Sequence, residues 1–202
     1  MKKRIILFAI LIISQLNYSQ KTVKMITEYG AKNRELEEVL SFENIGLETL
    51  NFESNEIKGK FYEINIKEYR NGKLVKTKKI FDGSESEYFK IDSTFTSFKL
   101  FTKMENDKLK TQLKGKRFAS RQEFFNLEKG NGEYILKDFQ GSKKFLNVSL
   151  NEDFPILAII TPTMRKDGSS SYCEVAQSDI APEKFGEKFN IPHYFIILMK
   201  FK

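Results

Sequence analysis

Apolar and polar residues alternate with a period of two along most of this chain, the pattern of half-buried β-strands, and long stripes at helical spacing are scarce. The clearest unit flanks Asn71-Gly72. A two-residue hairpin loop needs positive φ at both positions, which Asn and Gly tolerate best. Residues 61–70 and 73–82 are therefore expected to pair across it. That loop places Arg70 opposite Lys73, Ile66 opposite Thr77, Ile64 opposite Lys79 and Tyr62 opposite Phe81. One face collects Tyr62, Ile64, Ile66, Val75 and Phe81 and is expected to face the core. The other carries Glu63, Asn65, Lys67, Lys76 and Lys78 toward water, with Tyr69 and Leu74 packing near the turn.

A second hairpin is expected from residues 95–104 and 108–116, turning through Glu105-Asn106-Asp107. Leu109, Thr111 and Leu113 alternate there with Lys108, Lys110, Gln112 and Lys114, the mark of a strand with one wet face. Further strands are expected at 133–139, 144–150, 155–161, 172–176 and 193–201, separated by Gly, Asn, Asp and Ser clusters. Ile156 to Ile160 is a continuous apolar run, too short for a good helix, and reads as a fully buried strand. Residues 193–201 are apolar on both faces and read as the central strand of a two-layer body. Two helices are expected. Residues 32–40 place Leu36, Val39 and Leu40 on one side, and residues 182–189 open with proline and acid and space Phe185 and Phe189 four apart, with Gly186 inside. Residues 164–171 read as the most flexible loop. Strands recurring about every ten residues between turn signals define the fold class: all-β, a single-domain antiparallel β-sandwich with one or two short helices.

The first twenty residues carry a different signal. Lys2, Lys3 and Arg4 precede nine apolar residues, Ile5 to Ile13, and a polar, small-residue stretch ending Ser19-Gln20. That is the three-part layout of a secretory signal peptide. A membrane-spanning helix needs roughly 20 apolar residues, so the segment is expected to be removed rather than to anchor. Residues 1–19 are the leader and residues 20–202 the single domain, with the cut between Ser19 and Gln20. Asn17 is not the usual small residue, so the cut has a residue or two of latitude. No cysteine lies near it to carry a lipid. The mature chain is expected to have no transmembrane segment and to reside in the periplasm or outside the cell.

Composition narrows the chemistry. The formal charge of +7 falls to +4 once three leader cations are subtracted from 34 basic residues against 27 acidic ones. The charges are interleaved, and nucleic-acid binding usually needs a concentrated basic stripe, so no nucleic-acid partner is expected. Cys173 is the only cysteine, so no intrachain disulfide forms, and it reads first as a buried thiol. With 19 Phe, 8 Tyr and no Trp, the strongest platform for sugar faces is missing, although Tyr can substitute.

His193 is the only histidine. A Ser-His-Asp triad needs one, yet no Gly-x-Ser-x-Gly elbow is present, and nothing around Cys173 matches a thiol protease. One His and one Cys are too few for a zinc site without several carboxylates. The acidic turns 82–85 and 151–153 lack EF-hand spacing. No catalytic residue, metal ligand or cofactor is therefore assigned. The remaining suggestive feature is the set Lys67, Lys73, Lys76 and Lys78, expected on one sheet face with Lys67 opposite Lys76. Edge protection explains it; so does contact with an anionic surface.

The basic start, Ile-rich core and Ser-Gln end of the leader resemble those of exported proteins of Bacteroidota-type bacteria. The chain beyond resembles the small secreted β-rich proteins of unknown function from the same bacteria, a group that implies no active site. The expected function is an exported, non-enzymatic binding or envelope-associated module whose partner is a protein, a glycan or an anionic envelope surface. The alternative is a secreted hydrolase acting on glycan or ester bonds through carboxylates or His193.

Overall fold

Alternation along the chain resolves into thirteen strands and two short α-helices among the described residues of a computed structural model, which are 21–116, 118–128, 133–164, 170–172, 175, 178 and 180–202. In chain order they are β1 (Thr22–Tyr29), α1 (Arg34–Phe42), β2 (Ile45–Glu53), β3 (Tyr62–Arg70), β4 (Lys73–Asp82), β5 (Phe95–Glu105) and β6 (Lys108–Gly115). There follow β7 (Glu123–Asn126), β8 (Ile135–Asp138), β9 (Leu146–Ser149), β10 (Phe154–Ile160), β11 (Thr163–Met164), β12 (Ser170–Ser171), α2 (Phe185–Phe189) and β13 (His193–Phe201). One sheet has the order β7-β6-β5-β2-β1-β9 and the other β4-β3-β13-β10-β8, and every pairing is antiparallel. Strands β11 and β12 form a separate small ribbon. The fold class is the all-β sandwich with short helices.

The two sheets face each other across a core dominated by aromatic rings. Phe52 stacks on Phe98 at 5.5 Å, Tyr62 on Phe98 at 5.4 Å, and Phe201 meets Phe52 edge-on at 5.7 Å. Ring pairs of this kind add to the burial of their own area. A second apolar cluster lies on the outer face of the β13 sheet, where Phe185, Ile191 and Val175 cover Tyr194, Ile196 and Leu198. Strand β13 is thus buried on both sides, as its unbroken apolar run demands, and it occupies the middle of its sheet.

Helix α2 packs on the hairpin that the Asn-Gly signal predicts. Asn71 and Gly72 both have positive φ, and the Asn71 amide donates to the Pro192 carbonyl at 2.7 Å. Gly186 accounts for the glycine inside the helical segment: a Cβ there would lie 2.6 Å from the Gly72 backbone. Helix α1 begins at Asn33, whose side chain accepts from the Leu36 amide, the usual N-cap arrangement. Of its expected apolar face only Leu40 is buried; Leu36 and Val39 are exposed.

Strands β1, β2 and β7 are additions to the sequence reading. In β2 the inward positions include Gly46 and Glu48 while Leu47 is buried under α1, so the period-two signal is broken. Of the strand expected at 172–176 only Tyr172 and Val175 are described, and neither is in a strand. Most of the loop expected at 164–171, and Cys173, lie outside the described residues.

Substituting Gly186→Ala separates helix propensity from packing. Propensity alone stabilises by about 1 kcal/mol, whereas forcing a methyl into the Gly72 backbone costs about 1–3 kcal/mol. Net destabilisation is expected in urea unfolding, and a higher midpoint for the variant would show that the helix does not sit on the turn.

Candidate functional site

The four lysines singled out from sequence do not share a face. The hairpin keeps Arg70 opposite Lys73, but two bulges, at Val75 and Ile80, shift the register beyond it. Ile64 then faces Phe81, Ile66 faces Lys78 and Lys67 faces Thr77. Lys76 is opposite Glu68 rather than Lys67, so the expected repulsion becomes a pairing of opposite charges. Lys76 and Lys78 lie on the Phe125 side of β4, Lys76 still exposed, with their ammonium groups 5.5 and 5.9 Å from the centre of the Phe125 ring, and Lys78 forms an ion pair with buried Glu123 on β7. Lys67 lies beside Ile196 on the opposite face. The bulges also correct the expected core: Tyr62, Ile64, Ile66 and Phe81 are buried, but Val75 is 51% exposed and Leu74 stands out with it, while Ile80 takes a buried place.

His193 is 0% exposed and belongs to a closed polar ring. Its Nδ1 lies 2.7 Å from the Tyr134 hydroxyl, and its Nε2 lies 3.2 Å from Glu68 Oε1. The same Glu68 oxygen accepts from Arg70 Nε at 2.9 Å and from a terminal Arg70 nitrogen at 2.8 Å. The other terminal nitrogen of Arg70 pairs with the Glu128 carboxylate at 3.0 Å, and the Glu128 amide donates to the Tyr134 hydroxyl at 3.2 Å. A neutral imidazole with its proton on Nε2 satisfies this chain: it accepts from Tyr134 and donates to Glu68. Burial pushes the His193 pKa down, against the opposing pull of the Glu68 hydrogen bond. The Glu68 hydrogen bond holds the Arg70 pKa above its ordinary value. The ring ties β3 and β13 to the base of the β7–β8 connection.

A second buried titratable group lies in the same end of the interior. Glu48 is 4% exposed, one of its carboxylate oxygens has no hydrogen-bond partner, and its pKa is pushed up to about 8, first by burial and then by Glu37, against the pull of Lys137. Across the neighbouring strands Glu123, Thr111, Thr102 and Gly46 stand side by side in register. The interior therefore runs from an aromatic end to a polar end. Among the described residues, no group of three or more His, Cys, Asp or Glu side chains is placed to hold a metal ion together.

The outer face of the first sheet carries the arrangement that sequence reading missed. The β5–β6 hairpin sets Lys99 opposite Lys114, Phe101 opposite Gln112, and Lys103 opposite Lys110. Phe101, Lys103, Lys110, Gln112, Lys114 and Gln122 line a groove of about 130 Å³. The Lys114 ammonium lies 5.1 Å from the Phe101 ring centre, a cation–π contact. Lys103 is neutralised by Glu43 at 3.0 Å and Glu105 at 3.4 Å, and the Glu43 hydrogen bond raises its pKa. Phe124, 54% exposed, pairs beside Lys110 from β7. The signal was present: Lys-x-Phe-x-Lys at 99–103 and Lys-x-Gln-x-Lys at 110–114 are brought face to face by the two-residue turn Asn106-Asp107. A larger groove of about 470 Å³ lies between the β8–β9 loop on one side and Ser178 and residues 180–182 on the other. Neither groove is lined by His193 or Glu68.

Two pH dependences of opposite sign follow. The folded pKa of His193 lies below its ordinary 6.5, so between the two values the unfolded chain holds a proton that the folded chain lacks. Stability from this group is complete above about 6.5 and is lost as the pH falls through the folded value. The urea midpoint should therefore drop more steeply between pH 7.5 and 5 for the native chain than for His193→Gln; parallel slopes would refute a buried neutral imidazole. Glu48 has a raised folded pKa, from 4.5 to about 8, so its contribution is complete below 4.5 and is lost as the pH rises through 8. Glu48→Gln should stabilise at pH 8 by about 2 kcal/mol, after the cost of burying an amide, with the gain gone by pH 5. A variant no more stable than the native chain at pH 8 would show that Glu48 is solvated. No protein-family model, curated protein or solved structure matches this chain.

Proposed function

We propose that this chain is an exported, non-enzymatic β-sandwich that binds at the cell envelope, in the periplasm or outside the cell. One feature of the chain favours export: the basic and apolar layout of residues 1–20 is that of a cleavable leader. Binding without bond-breaking is favoured by one observation above all. His193, the side chain best suited to proton transfer at neutral pH, is buried and holds Tyr134 and Glu68 in a ring that ties strands together. A general base must reach a substrate proton within hydrogen-bond distance, and neither described groove is lined by this imidazole. The outer face of the first sheet, by contrast, offers lysines and aromatic rings to solvent around a shallow groove.

The mature chain, residues 20–202, should co-sediment with isolated bacterial envelope fragments, and sodium chloride should weaken the association. It should not turn over p-nitrophenyl acetate or p-nitrophenyl glycosides. Turnover lost in His193→Gln, or no association with the fragments at low salt, would refute the reading.

A further inference from the structure

The outer groove on β5 and β6 has the chemistry of a specific ligand class, an inference that rests on reading the chain as a binding module. Two directly opposed lysine pairs, Lys99 with Lys114 and Lys103 with Lys110, occupy neighbouring strands of one hairpin. Like charges directly opposite destabilise a sheet. Glu43 and Glu105 compensate only Lys103. Among the described residues Lys99, Lys110 and Lys114 have no carboxylate partner, although Lys114 touches Phe101 through its charge. Lys110 and Lys114 line the groove and Lys99 stands beside it, opposite Lys114; three uncompensated cations on one face call for an anion from outside the chain.

The groove restricts which anion. Its volume of about 130 Å³ takes a single ring rather than an extended aromatic system, and its apolar elements are the Phe101 ring and Ile45. A stacked nucleic-acid strand needs successive aromatic platforms, and here there is one within the groove. A lipid surface favours an apolar wedge, whereas this lining is mainly Lys and Gln. Gln122 and Gln112 present amides, and the Gln112 amide already donates to the Ser120 carbonyl at 2.8 Å, which orients its oxygen as an acceptor. The two lysine rows lie four strand residues apart, about 13 Å along the sheet. A polymer with charges repeated along its length touches both rows while one of its rings rests on Phe101.

We propose that this groove binds an acidic glycan, a chain of sugar residues bearing carboxylate groups, with the ring on Phe101 and the carboxylates on Lys99, Lys110 and Lys114. Polygalacturonate is the probe, with dextran as the neutral polymer, a single-stranded oligothymidylate and phosphatidylglycerol vesicles as phosphate-bearing alternatives. The native chain should bind polygalacturonate, more weakly as salt rises, and should not bind dextran. The double variant K110Q/K114Q should bind it at least tenfold more weakly. The double variant K67Q/K73Q removes the same charge elsewhere and should stay within twofold of native. All these lysines reach solvent, and unchanged circular dichroism and thermal midpoints verify that the variants fold.

Equal losses in the two double variants, no binding of polygalacturonate, or tighter binding of the oligonucleotide or the vesicles through Lys110 and Lys114 would each overturn the proposal. If polygalacturonate binds and only K67Q/K73Q loses it, the groove is wrong but the binding module stands. If reducing ends accumulate during incubation, the non-enzymatic reading falls as well.

Discussion

A strand that is apolar on both faces has to be covered twice, and most of this architecture answers that demand. In β13, Phe195, Ile197, Met199 and Phe201 point to the facing sheet, while Tyr194, Ile196 and Leu198 point the other way. Each such side chain is worth about 1.5–3 kcal/mol when fully buried, so exposing either face would cost an amount comparable to the net stability of a typical domain. The inner face is met by the β1–β2–β5–β6 sheet. The outer face is met by α2 and its flanks, and Tyr69 and Tyr194 stack there at 4.9 Å with their planes 1° apart. The position of α2 then depends on how near it can come to the hairpin turn, which Gly72 and Gly186 decide together.

The polar end of the interior is the counterpart of this aromatic body. A buried carboxylate or imidazole is costly unless its partners are in place. His193 and Glu68 have theirs, from Tyr134, from Arg70 and from each other. Glu48 lacks a partner for one oxygen and remains largely protonated at neutral pH instead. The two groups respond oppositely to pH, so stability in the neutral range is a balance between them. His193, Glu68 and Glu48 thus all sit inside the sandwich.

Lysine is used in three ways. At β4, Lys76 and Lys78 turn back over Phe125, and Lys78 neutralises Glu123. At the sandwich edge, Lys79 and Lys202 gather around Glu63 and Asp82; burial acts to raise the Asp82 pKa, but hydrogen bonds from Lys79, Ser84 and Lys202 hold it well below the usual carboxylate range. On the β5–β6 hairpin the lysines oppose one another, and of the facing pairs only Lys103 has a carboxylate partner among the described residues. An interleaved composition with a modest net charge conceals this unevenness, because only the sheet register tells which cations are neutralised.

The sequence by itself determined the elements whose signals are local. Asn71-Gly72 set one hairpin and the expected 105–107 turn located a second, which closes over Asn106-Asp107 with Glu105 already paired to Lys108, because positive φ is a property of the turn residues. The apolar run of 193–201 implied a central strand because both of its faces need cover. The alternation of Leu109, Thr111 and Leu113 placed them inside. Only the tertiary structure decided what depends on residues far apart in the chain. Bulges at Val75 and Ile80 move Lys67 away from Lys76, and no pattern within β4 announces them, since they answer to the strands packed alongside. β2 stayed hidden because Glu48 and Gly46 occupy inward positions that Thr102 and its neighbours complete. The His193 ring draws on residues up to 125 positions apart, and hydrogen bonds of that span are written in the packing of two sheets rather than in any stretch of sequence.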